Sequence, residues 1–221
     1  MASIVRVWDL PTRIFHWALV TGVIGLVSTA QVGGAAMAWH FRFGYGVLGL
    51  LLFRLVWGVV GGRWSRFASF VYSPTSFLRY VKGQGLAEHA IGHNPLGSGS
   101  VFAMLGFLLM QVATGLISDD EIATAGPLSR FVASATVHVA TYYHRNIGKF
   151  ILIGLVLLHL GAISFYFFRK HENLVSPMIW GDKQTNIETQ GSRDDAGSRA
   201  LALAILLGCL SLVFWLIDWA G

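Results

Sequence analysis

The chain has 221 residues, of which 54% are apolar, 13% aromatic and only 12% charged, with a net charge of +5 and a mean hydropathy of +0.60. So little charge cannot cover a soluble domain of this length, and the apolar runs recur near the roughly 20 residues that span a bilayer. The basic excess does not mark nucleic-acid binding, because the basic residues flank the apolar runs, where the positive-inside rule puts them.

The first span is expected over 14–35, after Trp8-Asp9-Leu10-Pro11-Thr12-Arg13, which reads as a turn and an interfacial helix start. Residues 1–36 have the outline of a signal peptide, but Ile14-Phe15-His16-Trp17 puts a ring nitrogen and aromatics where a signal core is plain aliphatic, so cleavage is not expected. Gly33-Gly34-Ala35-Ala36 links to a second span over 39–60. The polar segment 61–97 carries Arg63, Arg66, Arg79 and Lys82, with Trp64, Phe67, Phe70 and Tyr72 between them. It suits either a helix lying on an anionic membrane surface or a solvated loop, with equal weight.

The third span is expected over 98–118, entered through Gly92-His93-Asn94-Pro95-Leu96-Gly97, where Asn94 has the form of an N-cap with proline at the first helical position. A loop with Asp119, Asp120, Glu121 and Pro127 follows, with a short helix over 128–136. The fourth span, 138–168, ends at Arg169-Lys170 and is long enough to tilt or project. A hydrophilic stretch over 171–198 precedes a fifth span at 199–219. The fold class is therefore an all-α integral membrane protein. The expected organisation is a bundle of four helices over 1–180, then a linker and an extra C-terminal helix over 181–221.

The N-terminus, 61–97 and 169–199 hold Arg6, Arg13, Arg63, Arg66, Arg79, Lys82, Arg169, Lys170, Lys183, Arg193 and Arg199. The opposite side holds the acidic triplet with Arg42, Arg130, Arg145 and Lys149. This bias predicts a cytoplasmic N-terminus and a C-terminus on the opposite side of the membrane.

Eight histidines punctuate this pattern, and ionisable side chains inside spans are rare and functional by default. His16 lies at the inner start of span one and His40 at the outer start of span two, while span four carries His144 and, fifteen residues on, His159. At the helical rise those last two are about 22 Å apart. At about 100° per residue they differ by only about 60° in direction. His40 with His144 and His16 with His159 thus form two depth-matched pairs. An imidazole pair from two helices can ligate iron from both sides, with the porphyrin filling the space between them. For any one of these residues a hydrogen-bonded core histidine is the commoner reading; four in two matched pairs, on spans almost without carboxylates, favour a large apolar cofactor over zinc or a proton path.

The lone cysteine, Cys209, excludes intrachain disulfides and Cys-based zinc sites, and with no Cys-x-x-Cys-His any haem would be held without thioether links. His138, six residues before His144, is its nearest competitor, and His89, His93 and His171 read as loop residues. Gly22, Gly25, Gly44, Gly46, Gly49, Gly148 and Gly154 let a flat ring or a second helix approach. Arg42, Arg145 and Lys149 are candidates to pair with outer haem propionates. Arg54 is a candidate for an inner propionate, or else it snorkels to the surface.

The chain resembles the bacterial cytochrome b561 and nickel–iron hydrogenase cytochrome b family. The resemblance is carried by 7–17, by Arg54-Leu55-Val56-Trp57-Gly58, by Gly92 to Gly97, by His144 to His159, and by His171-Glu172-Asn173-Leu174-Val175 with Met178. It implies two b haems, with ligands at His16, His40, His144 and His159. The chain departs from the family pattern twice: ligands on the fourth helix are commonly fourteen apart, so that a one-residue π-bulge would restore the facing here, and the fifth span is absent from the shortest members. The implied function is transmembrane electron transfer, as a subunit of an oxidoreductase in a respiratory chain. The implied partners are membrane lipid, a quinone (ubiquinone or menaquinone) and a periplasmic or membrane redox protein such as a c-type cytochrome or a hydrogenase. Superoxide:quinone oxidoreduction is the alternative within the family, and a histidine-based metal or proton transporter the alternative outside it. Tyr142 and Tyr143 are weak candidates for a quinone contact.

Overall fold

A computed structural model describes residues 3–86, 89, 91–119 and 124–220; Asp120 and Glu121 of the acidic triplet lie outside them. The regular elements of the described residues are helical apart from one short ribbon. Its elements are β1 (Ser3–Arg6), α1 (Leu10–Val32), α2 (Met37–Val60), α3 (Pro74–Val81), α4 (Pro95–Leu116), α5 (Ser134–Tyr142), a π-helix (Tyr143–Gly148), α6 (Lys149–Arg169), α7 (Val175–Trp180), β2 (Asp182–Thr185) and α8 (Ala196–Ala220). Five segments are long and apolar enough to cross a membrane: Leu10–Val32, Gly34–Val60, Pro95–Leu116, Ser134–Arg169 and Ala196–Ala220. Large apolar side chains stand exposed along them, Leu158 at 72% and Phe214 at 73% among them. That much apolar surface is stable against lipid and not against water.

Every span begins earlier than its apolar run, and at three of them a polar capping residue starts the helix. Asp9 Oδ1 accepts from Thr12 N at 2.8 Å, ahead of α1. Asn94 Oδ1 accepts from Gly97 N at 2.8 Å, and α4 starts at Pro95, as the Asn-Pro signal predicts. Asp195 Oδ1 accepts from Ser198 N at 2.8 Å at the head of α8. Gly33 and Gly34 turn the chain between α1 and α2 at φ of 66° and 52°, which an L side chain rarely adopts. The short helix expected over 128–136 is instead a single 3₁₀ turn, Ser129–Phe131, before α5.

The segment 61–97 is neither a plain loop nor one surface helix. A 3₁₀ turn at Phe67–Ser69 leads into α3, whose Phe77, Leu78 and Val81 stay exposed, while Ser65 and Phe70 are buried. The hydrophilic stretch between spans four and five holds α7 and β2. β2 pairs antiparallel with β1 in the register Ser3↔Thr185 to Arg6↔Asp182.

The chain divides into two compact units, and α1, α2, α4, α6 and α8 each contribute to both. The first unit is Met1–His16, Arg54–Ala103 and Leu157–Ile205. Here Val7, Trp8 and Ile91 form an apolar cluster with Trp64, Met178 and Ile187 packed against it. The Asp9 carboxylate is fully buried, so it must find donors inside the protein. It takes them from Thr12 N, Ser65 Oγ at 2.8 Å, Gly62 N at 3.1 Å and Trp57 Nε1 at 3.3 Å, tying the start of α1 to the end of α2. Asp194, whose side chain is 7% exposed, is a second hub. It accepts from Arg6 at 2.8 Å, Leu10 N at 3.1 Å and Arg199 at 3.0 Å, fastening the start of α8 to the N-terminal strand.

The second unit is Trp17–Phe53, Met104–Val156 and Leu206–Gly221. Small residues let its helices close on one another: a Cβ on Gly22 would lie 2.7 Å from Val47, one on Gly25 2.8 Å from Phe43, and one on Gly49 2.5 Å from Leu210. At Gly22, Gly25 and Gly49, then, the helix-packing reading holds, whereas Gly46 and Gly154 have no protein atom within 4 Å of an added Cβ. Phe131 stacks on Trp219 at 4.9 Å and 7°.

Candidate functional site

The second unit brings His40, on α2, and His144, in the π-helix, together: their ring centroids are 6.2 Å apart and their planes meet at 89°. Both rings are half-buried and held in the same way. His40 Nδ1 lies 3.0 Å from Leu26 O on α1, and His144 Nδ1 lies 2.9 Å from Gln111 O on α4. A carbonyl can only accept, so each Nδ1 carries the proton and each Nε2 is left with its lone pair. Three residues past each carbonyl is a threonine, Thr29 and Thr114, with its hydroxyl 3.4 Å from the same Nδ1. Each threonine also donates back along its own helix, to Gly25 O at 2.6 Å and Met110 O at 2.8 Å. Fixing one ring nitrogen on a carbonyl while freeing the other is how metal-ligating histidines are commonly oriented. With metal–imidazole bonds of about 2.0 Å, two imidazoles on opposite sides of one metal would have centroids roughly 6.3 Å apart.

The backbone around His144 supplies the register. Tyr143–Gly148 winds as a π-helix, the extra residue that the fifteen-residue gap to His159 calls for. Gln111 Nε2 donates to His144 O at 2.9 Å and steadies this turn against α4. Gly115, also on α4, makes room for the ring: a Cβ there would lie 2.8 Å from His144 Cε1.

The other candidates of this unit point elsewhere or outward. Arg42 is exposed and sits over Trp39 at 4.7 Å, Lys149 lies over Phe150 at 4.9 Å, and Arg145 is exposed. His138, the rival of His144, is exposed. Tyr142 is 61% exposed, whereas the Tyr143 hydroxyl is shielded with no hydrogen-bond partner among the described residues.

The first unit brings His16, on α1, and His159, on α6, close enough to interact electrostatically. Both are half-buried. Arg54 does not snorkel: it is 3% exposed, lies over the Phe67 ring at 4.6 Å, and is attracted by the Asp9 carboxylate. Its Nη1 is shielded from solvent and has no hydrogen-bond partner among the described residues. A buried guanidinium nitrogen of this kind suits a carboxylate on a bound group. Gly58 is obligatory here, because any Cβ would collide with the Phe67 ring that underlies Arg54.

Sequence reasoning passed over the orienting carbonyls of Leu26 and Gln111 and their threonines. Backbone carbonyls carry no sequence signature, and the detectable trace is the pair of threonines. It also set aside His89 and His93 as loop residues. Both lie between α3 and α4, but His89 is buried between Tyr72 and Tyr80, and His93 is wedged between Trp8 and Phe70. Among the described residues there is no cluster of three or more His, Cys, Asp or Glu that could hold a bare metal ion.

A family model described as prokaryotic cytochrome b561 matches residues 7–181. The chain is similar to the "Probable Ni/Fe-hydrogenase B-type cytochrome subunit" of Bradyrhizobium diazoefficiens, with 25% identity over 218 residues, covering 81% of this chain and 86% of that one. Proteins of the same name from Rhizobium leguminosarum bv. viciae and Azotobacter chroococcum are 23% and 24% identical, each over at least 80% of this chain and 87% of its own length. No solved structure matches the chain.

Proposed function

This multi-pass membrane chain belongs to the prokaryotic cytochrome b561 family, and from that premise we propose that it carries electrons across the bacterial inner membrane through two haem b groups. His40 and His144 would hold one and His16 and His159 the other. The observation that carries the reading is the matched pair of Nδ1 hydrogen bonds, from His40 to Leu26 O and from His144 to Gln111 O. Those bonds present two Nε2 lone pairs from two helices, which is what axial ligation needs.

A haem with two imidazole ligands has no open coordination position and supplies one-electron transfer rather than oxygen binding. The protein's share is to aim the rings, exclude water and balance charge. Leu26, Gln111, Thr29 and Thr114 aim His40 and His144, the π-helix sets the facing of His144, and Arg54 offers a buried positive charge to a propionate. Arg42, Arg145 and Lys149 remain the candidates for outer propionates by position, although Arg42 and Lys149 rest on aromatic rings here.

Electrons need a donor and an acceptor at the ends of such a path. A quinone is proposed at one, and a hydrogenase is the redox partner favoured at the other, on the strength of the names that similar proteins carry. The basic residues of the N-terminus, 61–97 and 169–199 support a cytoplasmic N-terminus and a periplasmic C-terminus.

The reading is tested with the purified protein in sealed vesicles that trap ferricyanide, with a membrane-impermeant reductant outside. The expected result is reduction of the trapped ferricyanide that needs the protein and is lost in His144→Ala. Vesicles whose protein contains reducible haem but passes no electrons to the trapped oxidant would refute it.

A further inference from the structure

In the turn before α4 the structural work belongs to Asn94, which caps the helix and donates from Nδ2 to the Tyr166 hydroxyl at 2.8 Å. His93 has no part in the cap. Its backbone oxygen accepts from the Tyr72 hydroxyl at 2.8 Å, and its ring is clamped between Trp8, centroid at 4.6 Å, and Phe70, centroid at 4.5 Å. Apolar clamping fixes where the ring points without using its nitrogens.

His93 Nδ1 is shielded from solvent and, like Arg54 Nη1, has no hydrogen-bond partner among the described residues. These two nitrogens belong to the same unit, and their side chains interact electrostatically with each other. His93 also interacts with His159. Burial, with Arg54 and His159 nearby, pushes the His93 imidazole down to about 3, so the ring is neutral. A neutral imidazole carries one N–H, and a guanidinium carries only donors. A group that only accepts, bears negative charge and arrives on an apolar body would satisfy Arg54 Nη1 and, in the tautomer that carries its proton at Nδ1, the His93 ring as well.

We infer that His93 Nδ1–H and Arg54 Nη1 together hold one propionate of the haem ligated by His16 and His159, which makes His93 a cofactor-positioning residue. The inference rests on the proposed dihaem reading. Arg54 supplies the compensating charge, and His93 adds a hydrogen bond without placing a second cation beside it. Removing that bond leaves the propionate charge less balanced, which favours ferric iron and lowers the midpoint potential of that haem alone.

The test is a spectroscopic redox titration of the purified protein with both haems bound. In His93→Phe, which keeps the aromatic clamp and loses the donor, the reduced-to-oxidised ratio of one haem at fixed potential falls about tenfold, or about 59 mV for a one-electron couple. The other haem is unchanged. His93→Asn, which places an amide N–H near the Nδ1 position, recovers most of the shift. Should His93→Phe not assemble, His93→Asn is compared with His93→Gln, whose amide falls nearer the Nε2 position; only His93→Gln shows the lowered midpoint. Unchanged midpoints in His93→Phe or His93→Gln, or equal shifts in both haems, overturn the inference while leaving the dihaem reading intact. Unaltered protein with fewer than two haems overturns the dihaem reading and the inference together.

Discussion

His40 and His144 face one another at 6.2 Å between ring centroids, each with Nδ1 committed to a backbone carbonyl on a third or fourth helix. The two rings are thus held by α1 and α4 although they are carried by α2 and the π-helix. A pair held in this way binds as a unit. His40→Ala and His144→Ala should each cost the same single haem, read by pyridine haemochrome content per chain. His138→Ala should keep both, because that residue is exposed and outside the pair. Retention of both haems by His144→Ala would show that the pairing is wrong.

Gly115 is the space that His144 occupies, since an added Cβ would lie 2.8 Å from the ring. Gly115→Val should turn the imidazole and shift the low-spin electron paramagnetic resonance signal of one haem, or lose that haem. The glycine-for-valine change at Gly208, where no atom lies within 4 Å of an added Cβ, is the control and should leave both signals unchanged.

The π-helix at Tyr143–Gly148 absorbs one residue between His144 and His159. Deleting Asn146 should close it to ordinary α-helix and preserve the facing of both histidines, so both haems are kept. Inserting one alanine after Gly154 should rotate His144 by about 100° relative to His159 and cost one haem. Equal haem content in the two variants would mean that the bulge has no role in register.

Asp194 carries a pH-dependent share of stability. Burial works against its ionisation, but hydrogen bonds from Arg199, Leu10 N and Arg6 prevail and hold the carboxyl below the usual carboxylate range. A carboxyl lowered on folding stabilises the fold above its ordinary value of about 3.9, and that contribution disappears as pH falls through the lowered value. Asp194→Asn should therefore lose about 2 kcal/mol at neutral pH and show a flatter decline of thermal stability below about pH 4. Matching pH profiles for the two proteins would remove Asp194 from this role.

The spans were legible because bilayer thickness sets the length of an apolar run, and their starts were not. The helices begin at residues 10, 37, 95, 134 and 196, where the apolar runs alone suggest 14, 39, 98, 138 and 199. At α1, α4 and α8 the difference is a capped first turn, visible beforehand at Asn94-Pro95 and at the Trp8–Arg13 helix start. Depth and phase anticipated that His40 comes close to His144 and that His16 and His159 interact, and a fifteen-residue spacing against the fourteen usual in the family anticipated the π-helix. The β1–β2 ribbon was not readable. Asp182–Thr185 has no apolar alternation, and its partner lies at the other end of the chain. Nor could the sequence show that His93 is clamped by Trp8 and Phe70, because that contact joins three separate segments.

The dihaem arrangement is tested most directly by counting b haems per chain in the purified protein, together with the electron paramagnetic resonance spectrum of the oxidised form. The account predicts two haems per chain, both low-spin with two histidine ligands. One haem per chain, or a high-spin centre with an open position, would contradict it.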